Sequence, residues 1–283
     1  MLEPSPQIAG WTASDGYESQ YRCYDPGQPP RAHVIGLHGI QSHGGWYQHS
    51  CSRLCAAGYM VYYLDRRGSG LNQRDRGDAP GFRRLLDDVA DFIDCRLPKA
   101  ENRAPVVLLA VSWGGKLAAG LCRRHPGKID GLALLCPGFF PVVKPPLGER
   151  LGIFFARLLH PRRMFPVPLS DPGLFTATPR WQEFIANDPI AVRQATARLL
   201  VESVRLDLYL RFFPPRIEVP VLLMLAGQDR IIDSGRTRQL VERIATADRQ
   251  MIDYPDAHHT LEFEPDPERH IDDLIKWLGA LWP

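Results

Sequence analysis

Apolar residues along this chain gather into short unbroken runs, separated by longer stretches where they recur periodically. The runs are His33–Leu37 (HVIGL), Met60–Leu64 (MVYYL), Val106–Leu109 (VVLL), Ile129–Cys136 (IDGLALLC) and Val221–Leu225 (VLLML). Runs of this length, bounded by polar turns, predict strands buried on both faces, as in a parallel sheet. A further strand is expected at Gln250–Tyr254, and Asp15-Gly16 between Trp11 and Tyr24 reads as the turn of a hairpin. Between the runs the spacing becomes helical. Leu85, Leu86, Val89, Phe92, Ile93 and Leu97 line one face of Phe82–Leu97. Trp46–Ala57, the Ala/Leu-rich stretch to Cys122 and Ser234–Thr246 are the other helices. A last helix starts at Asp266-Pro267, with the aspartate expected at its cap, and shows Ile271, Leu274, Ile275 and Leu278 to the core. Strand–helix alternation of this kind predicts an α/β domain, its mostly parallel sheet covered by helices on both faces.

The alternation breaks between Pro137 and Pro220. That stretch is rich in proline, and its helical candidates are Leu151–Leu159 and about Ala191–Leu210, the latter with Ala197, Leu200, Val204 and Leu208 on one face. The reading is therefore one core in two segments, 1–136 and 219–283, with a helical cap at 137–218. Ligands in open α/β sheets bind beyond the C-terminal ends of the strands. Ile40, Ser112, Asp229 and His259 all fall just past such ends.

Composition narrows the function classes. With 45% hydrophobic and 23% charged residues the chain can bury a large core, and a net charge of +2 gives no field for nucleic acid. No run of apolar residues is long enough to span a bilayer. The start MLEPSPQIAG lacks the basic and apolar regions of a signal peptide, and the six cysteines are scattered singly. A cytoplasmic protein with reduced thiols is the expectation.

Ser112 is the centre of the candidate chemistry. Ala110-x-Ser112-x-Gly114 at a strand-to-helix turn is the small-x-Ser-x-Gly form of a nucleophile elbow, although a serine opening a helix is also a common cap. A serine hydroxyl needs a base, and the base an orienting acid. The order Ser112, Asp229, His259 supplies them in the nucleophile–acid–base sequence of α/β-hydrolases. The backbone N–H groups of Ile40 and Trp113 are placed to receive an oxyanion. His258 is the neighbouring alternative base and Asp233 the alternative acid, although its position suits a helix cap. His33, His38 and His43 recur every five residues, but across a strand and a loop and without zinc-ligand spacing. Gly68-Ser69-Gly70 lacks the third glycine of a nucleotide fingerprint. No cofactor or metal is expected.

The chain resembles the monoacylglycerol lipase and lysophospholipase-like, serine aminopeptidase S33-like group of α/β-hydrolases. The resemblance rests on His38-Gly39-Ile40-Gln41-Ser42-His43 followed by Tyr47, on Asp65-Arg66-Arg67-Gly68-Ser69-Gly70, on Asp188-Pro189, on Gly227-Gln228-Asp229 and on His259-Thr260-Leu261. It implies an α/β-hydrolase fold, a Ser112/Asp229/His259 triad, an oxyanion hole at Ile40 and Trp113, and hydrolysis of an ester with a medium-to-long acyl group. Three departures stand out: Ala110 for the first elbow glycine, Gln41 where glycine is frequent, and Asn72 where serine is usual.

Other readings stay open on the sequence. Ser112-Trp113-Gly114-Gly115 also looks like the elbow of proline iminopeptidases, for which Glu183 and Asp188 are the nominable amine-binding acids; a short-chain esterase is a second alternative, and a non-catalytic binding protein a third. Apolar residues among arginines in 151–165 suggest a cap helix that closes its own pocket or touches an anionic membrane surface.

Overall fold

A computed structural model of the protein describes residues 5–97, 103–212 and 216–282. The first four residues of the N-terminal stretch and 213–215 of the proline-rich segment lie outside the described residues. Eight strands form one sheet: β1 (Gln7–Thr12), β2 (Glu18–Tyr24), β3 (His33–Leu37), β4 (Met60–Leu64), β5 (Val106–Val111), β6 (Gly131–Leu135), β9 (Val221–Ala226) and β10 (Arg249–Tyr254), in the order β1-β2-β4-β3-β5-β6-β9-β10. β1 and β2 form the antiparallel hairpin and β2 runs antiparallel to β4; every pairing from β4 to β10 is parallel. β3, β5, β6 and β9 are buried at every position, as their unbroken apolar runs require.

Helices cover this sheet. α2 (Phe82–Arg96) packs against α3 (Trp113–Arg124), and α1 (Gln48–Ala56) against α8 (Glu268–Leu281). α7 (Ser234–Glu242) leans on β9. Asp233 caps α7 through the Arg236 N–H at 2.9 Å. The expected cap of α8 is corrected: Pro267, not Asp266, takes the N-cap position, and no side chain caps the helix. Pro267 already has helical dihedrals, and its carbonyl accepts the first bond, from Ile271 N–H.

β6 and β9 are neighbours in the sheet, so the chain between them is an excursion from the core. It holds α4 (Leu147–Leu159), β7 (Met164–Pro166), α5 (Pro179–Asn187), β8 (Gln194–Thr196) and α6 (Ala197–Phe212). α5 was not expected, and residues 191–196, read as the start of a long helix, form a loop and β8 instead. β8 pairs with β7, and that pairing takes Gln194–Thr196 out of the helix. The buried face of α6 also differs from the expected stripe. Leu199, Glu202 and Leu206 are buried, whereas Val204 and Leu208 are exposed, because α6 turns the former face toward α2 and α3. Polar contacts fix it there: Lys116 pairs with Asp207 at 2.6 Å, Ser203 accepts from the Trp113 indole at 2.8 Å, and Glu202 accepts from Phe82 N–H at 3.2 Å.

Candidate active site

The fully buried β5 delivers the chain to Ser112 at the head of α3. There the backbone turns at φ 53°, ψ −122°, a region that costs a non-glycine residue about 1–3 kcal/mol. Neighbouring backbone holds the turn. Ser112 N–H donates to Leu135 O at 3.0 Å, and Ser112 O accepts from Gly115 and Gly138 N–H at 2.9 and 2.7 Å. Gly114 must be glycine, since a Cβ there would sit 2.3 Å from Leu37 O. Ala110, two residues before the serine, is fully enclosed between β3 and β6, so the elbow accommodates one methyl at that position.

The two roles open to Ser112 are separated by where its hydroxyl goes. It makes no capping bond to α3; Oγ lies 2.8 Å from His259 Nε2. On the other side of the ring, Nδ1–H donates to Asp229 Oδ2 at 2.7 Å. The second carboxylate oxygen accepts from the Ile231 and Ile232 N–H groups at 2.8 and 3.1 Å. The side chains of His259 and Asp229 are 2% and 0% exposed, so solvent does not compete for these bonds. The imidazole therefore carries its proton on Nδ1 and turns a lone pair to the serine. His258 points elsewhere, to Glu264 Oε1 at 3.2 Å.

Three long-range residues surround this chain of bonds. Cys136 follows β6 with φ 42°, and its buried sulfur lies within 4.8 Å of the Asp229 and His259 ligand atoms. Burial, reinforced by the Asp229 charge, pushes its thiol far up, so it stays protonated beside the acid. Phe175, from the excursion, rests edge-on against the His259 ring, and its carbonyl accepts from Thr260 N–H at 2.9 Å. On the opposite side, Gly39 abuts the nucleophile: a Cβ there would lie 3.4 Å from Ser112 Cβ and 3.7 Å from Oγ. Gly39, on the loop that continues into Ile40, and Trp113, next in the chain, therefore flank Ser112.

The loop after β3 is braced from below and from the side. Asp65 takes two bonds from Arg22, at 3.0 and 2.9 Å, and the Gly44 and Leu71 N–H groups at 2.7 and 2.8 Å. Asn72 donates to Asp65 O and Arg66 O at 2.7 and 3.1 Å and accepts from Gln20 N–H at 2.8 Å, so it locks the glycine turn to β2. The three histidines go to different places: His33 stacks on Tyr62, His38 bonds within the loop, and His43 pairs with Asp188. Gly45 N–H donates to His43 Nδ1 at 3.0 Å, which leaves Nε2–H to donate to Asp188 at 2.9 Å. The Trp46 indole and Ile190 N–H complete the carboxylate at 2.6 and 3.0 Å. Burial raises the Asp188 pKa, but these donors outweigh it and bring it down to about 2. The bond from Val192 N–H to Gln41 O, at 2.9 Å, runs alongside. The sequence offers Asp188 in Asp188-Pro189 and as an amine-binding acid but not as a link across the fold, because its side-chain partners His43 and Trp46 lie about 145 residues away.

Comparison with known proteins gives the family. A family model described as serine aminopeptidase, S33 matches residues 28–266. The chain belongs to this family. Among curated proteins, this S33 chain is 27% identical to a monoacylglycerol lipase of Mycolicibacterium smegmatis over 93% of each chain. It is 25% identical to the human monoglyceride lipase, over 89% of this chain and 82% of that one. Among solved structures, a monoglyceride lipase variant from Saccharomyces cerevisiae superposes with a TM-score of 0.83 at 20% identity, over 99% and 96% of the two chains. A monoacylglycerol lipase of Paleococcus ferrophilus gives 0.80 at 21%, over 97% and 98%. The S33 chain is a carboxylic ester hydrolase of the α/β-hydrolase fold. Among its described residues, no helix is long and apolar enough to cross a membrane.

Proposed function

We propose that the protein hydrolyses a carboxylic ester with a medium-to-long acyl group, of monoacylglycerol or lysophospholipid type, through an acyl-enzyme on Ser112. The observation that carries this reading is the bonded chain Ser112–His259–Asp229, in which the hydroxyl faces a base rather than a helix terminus. His259 Nε2 takes the Ser112 proton as Oγ attacks the ester carbonyl. The carbonyl oxygen becomes an oxyanion, received by the Ile40 and Trp113 N–H groups; such donors contribute about 2.7–4 kcal/mol each to transition-state stabilisation. Asp229 holds the imidazole in the required tautomer and stabilises it once charged. The imidazolium then protonates the leaving alkoxide. Water, deprotonated by the same His259, attacks the acyl-enzyme and releases the acid and free Ser112.

The lipid character is supported by the names of the relatives and by the excursion, 137–218, which we assign as the cap. α4 buries Ile153 and Ala156 and leaves Phe154, Phe155, Leu158 and Leu159 at 54–73% exposure, with Arg150 and Arg157 on the same helix. An amphipathic helix of that kind suits peripheral contact with an anionic lipid surface. An aminopeptidase reading, favoured by the family description, needs free acids in the cap. Of the two acids nominated for that role, Asp188 is buried and already holds three donors, and Glu183 is exposed.

The test is hydrolysis of p-nitrophenyl esters of increasing chain length with proline anilide in the same panel, and Ser112→Ala, shown to be folded, as control. The expected result is turnover that rises with chain length and is lost in the variant. A preference for acetyl or butyryl esters would establish a short-chain esterase. Cleavage of the anilide alone would establish a peptidase, and turnover that survives in Ser112→Ala would remove this site from the chemistry.

A further inference from the structure

Arg66 is a buried cation with no direct ion-pair partner among the described residues. The adjacent Asp65 carboxylate is committed to Arg22 and to two backbone N–H groups. Arg66 instead spends its guanidinium on backbone carbonyls of the loop after β3, Gly39 O at 3.0 Å and Ile40 O at 2.8 Å, and lies 4.9 Å over the Trp113 ring. Its own N–H donates to His38 Nε2 at 3.0 Å. That bond fixes the neutral His38 tautomer with the proton on Nδ1, which donates to the same Gly39 O at 2.7 Å. Gly39 O thus has both lone pairs occupied, one by a cation and one by an imidazole.

This carbonyl belongs to the peptide unit whose N–H is that of Ile40. In a trans peptide the C=O and N–H point in opposite directions, so donors bound at Gly39 O lie behind the amide and fix its plane. Charge-assisted bonding to the carbonyl also polarises the peptide and makes its N–H a stronger donor. We infer that Arg66 is a positioning residue for the oxyanion hole: it orients and polarises the Gly39–Ile40 peptide and brings a buried positive charge against both residues that flank Ser112. Burial, with Arg76 nearby, lowers the guanidinium pKa to about 10 against the pull of Asp65, so the cation persists at neutral pH. A small cavity of about 30 Å³ lined by His38, Asp65, Arg66, Arg67 and Asp88 sits beneath the turn.

The inference rests on the Ser112-centred reading above. Its test uses a soluble butyryl ester and a trifluoromethyl ketone, which forms an oxyanion on the serine, with the full-length protein and three variants. Arg66→Met removes charge and donors, Arg66→Gln keeps donors without charge, and Arg66→Lys keeps charge. The expected outcome is a kcat about 10- to 100-fold lower in Arg66→Met with KM within about twofold, the ketone weakened by the same factor, and partial recovery in Arg66→Lys. Each tenfold step corresponds to about 1.4 kcal/mol of lost transition-state stabilisation. Should Arg66→Met fail to fold, Arg66→Gln against Arg66→Lys carries the same comparison: lysine must retain more kcat and more ketone affinity than glutamine. Wild-type turnover that depends on Ser112 while the folded Arg66 variants keep kcat and ketone affinity would overturn the role of Arg66 alone. A kcat loss with unchanged ketone affinity would assign Arg66 to loop structure only. Turnover surviving in Ser112→Ala would overturn the site reading itself.

Discussion

The carboxyl groups of Asp229 and Asp188 are both buried and both accept three hydrogen bonds that include a histidine, yet they sit in different parts of the molecule. Asp229 follows β9, and two of its donors come from its own turn, at Ile231 and Ile232. Asp188 lies in the excursion between β6 and β9, and its side-chain donors, His43 and Trp46, come from the core. The first carboxylate is positioned by local backbone and faces a histidine with a free side toward the serine. The second is positioned by tertiary contact, and its histidine is closed off on both nitrogens. The same pair of residue types therefore joins a bonded chain to a serine in one place, the proposed relay, and makes a clasp in the other. What distinguishes them is the partner at the second ring nitrogen: a hydroxyl for His259, a backbone N–H for His43.

Asp229→Asn breaks the relay with the largest effect expected here. The amide keeps an acceptor for the Ile231 and Ile232 N–H groups, so the fold persists. It turns an NH2 toward His259 Nδ1, which then must accept, and the Nε2 lone pair that Ser112 needs becomes a proton. Measured on a soluble ester, kcat should fall about 10⁴-fold, as in comparable triads. Activity near the wild-type level would assign the orienting role to another acid.

Asp188→Ala breaks the clasp. His43 Nε2–H and the Trp46 indole lose their shared acceptor in a buried setting, at about 1–3 kcal/mol for each unsatisfied donor. Urea unfolding should show the loss, and Glu183→Ala, at an exposed site, should change stability by less than about 0.5 kcal/mol. Acid provides a milder version. The Asp188 pKa is depressed in the fold, from 3.8 to about 2. Its stabilisation is therefore complete above about pH 4 and is lost as pH falls through 2. A depression of that size corresponds to about 2 kcal/mol. Stability of wild type and Asp188→Ala should converge across that window, and parallel curves would show that the carboxylate contributes no net stability.

The residues of the bonded Ser112–His259–Asp229 chain stand at positions the sequence singles out together, whereas His43 and Asp188 are not paired by it, for a physical reason. Buried parallel strands must be apolar at every position, so β3, β5, β6 and β9 announce themselves, and residues just past their ends are collected at one edge. Ile40, Ser112 and Asp229 lie past β3, β5 and β9 in this way; His259 follows β10, whose RQMIDY strand is only partly buried. The excursion has no such rule. Its helices pack one at a time against whatever the core presents, so α5 has no signature in the sequence, and of the expected α6 stripe Ala197 and Leu200 pack inward whereas Val204 and Leu208 face solvent. The positions that anchor α6 include Glu202 and Ser203, polar residues whose partners lie on α2 and α3. Asn72, Arg66 and Cys136 act through contacts that no local spacing encodes.

The exposed face of α4, in the excursion between β6 and β9, sharpens the comparison at its lowest energy. Leu158 and Leu159 are 66% and 73% exposed, so replacing both by aspartate removes little from the folded protein, within about 0.5 kcal/mol per site. Immersed in lipid, each leucine would contribute part of the roughly 1.5–3 kcal/mol of full burial. Two aspartates would also oppose the arginines of α4 against an anionic surface. Sedimentation with phosphatidylglycerol vesicles should therefore show binding weakened about tenfold or more, while turnover of a soluble butyryl ester stays within about twofold. Equal loss on both substrates would mean that α4 shapes the pocket. Undiminished vesicle binding would mean that another surface meets the lipid.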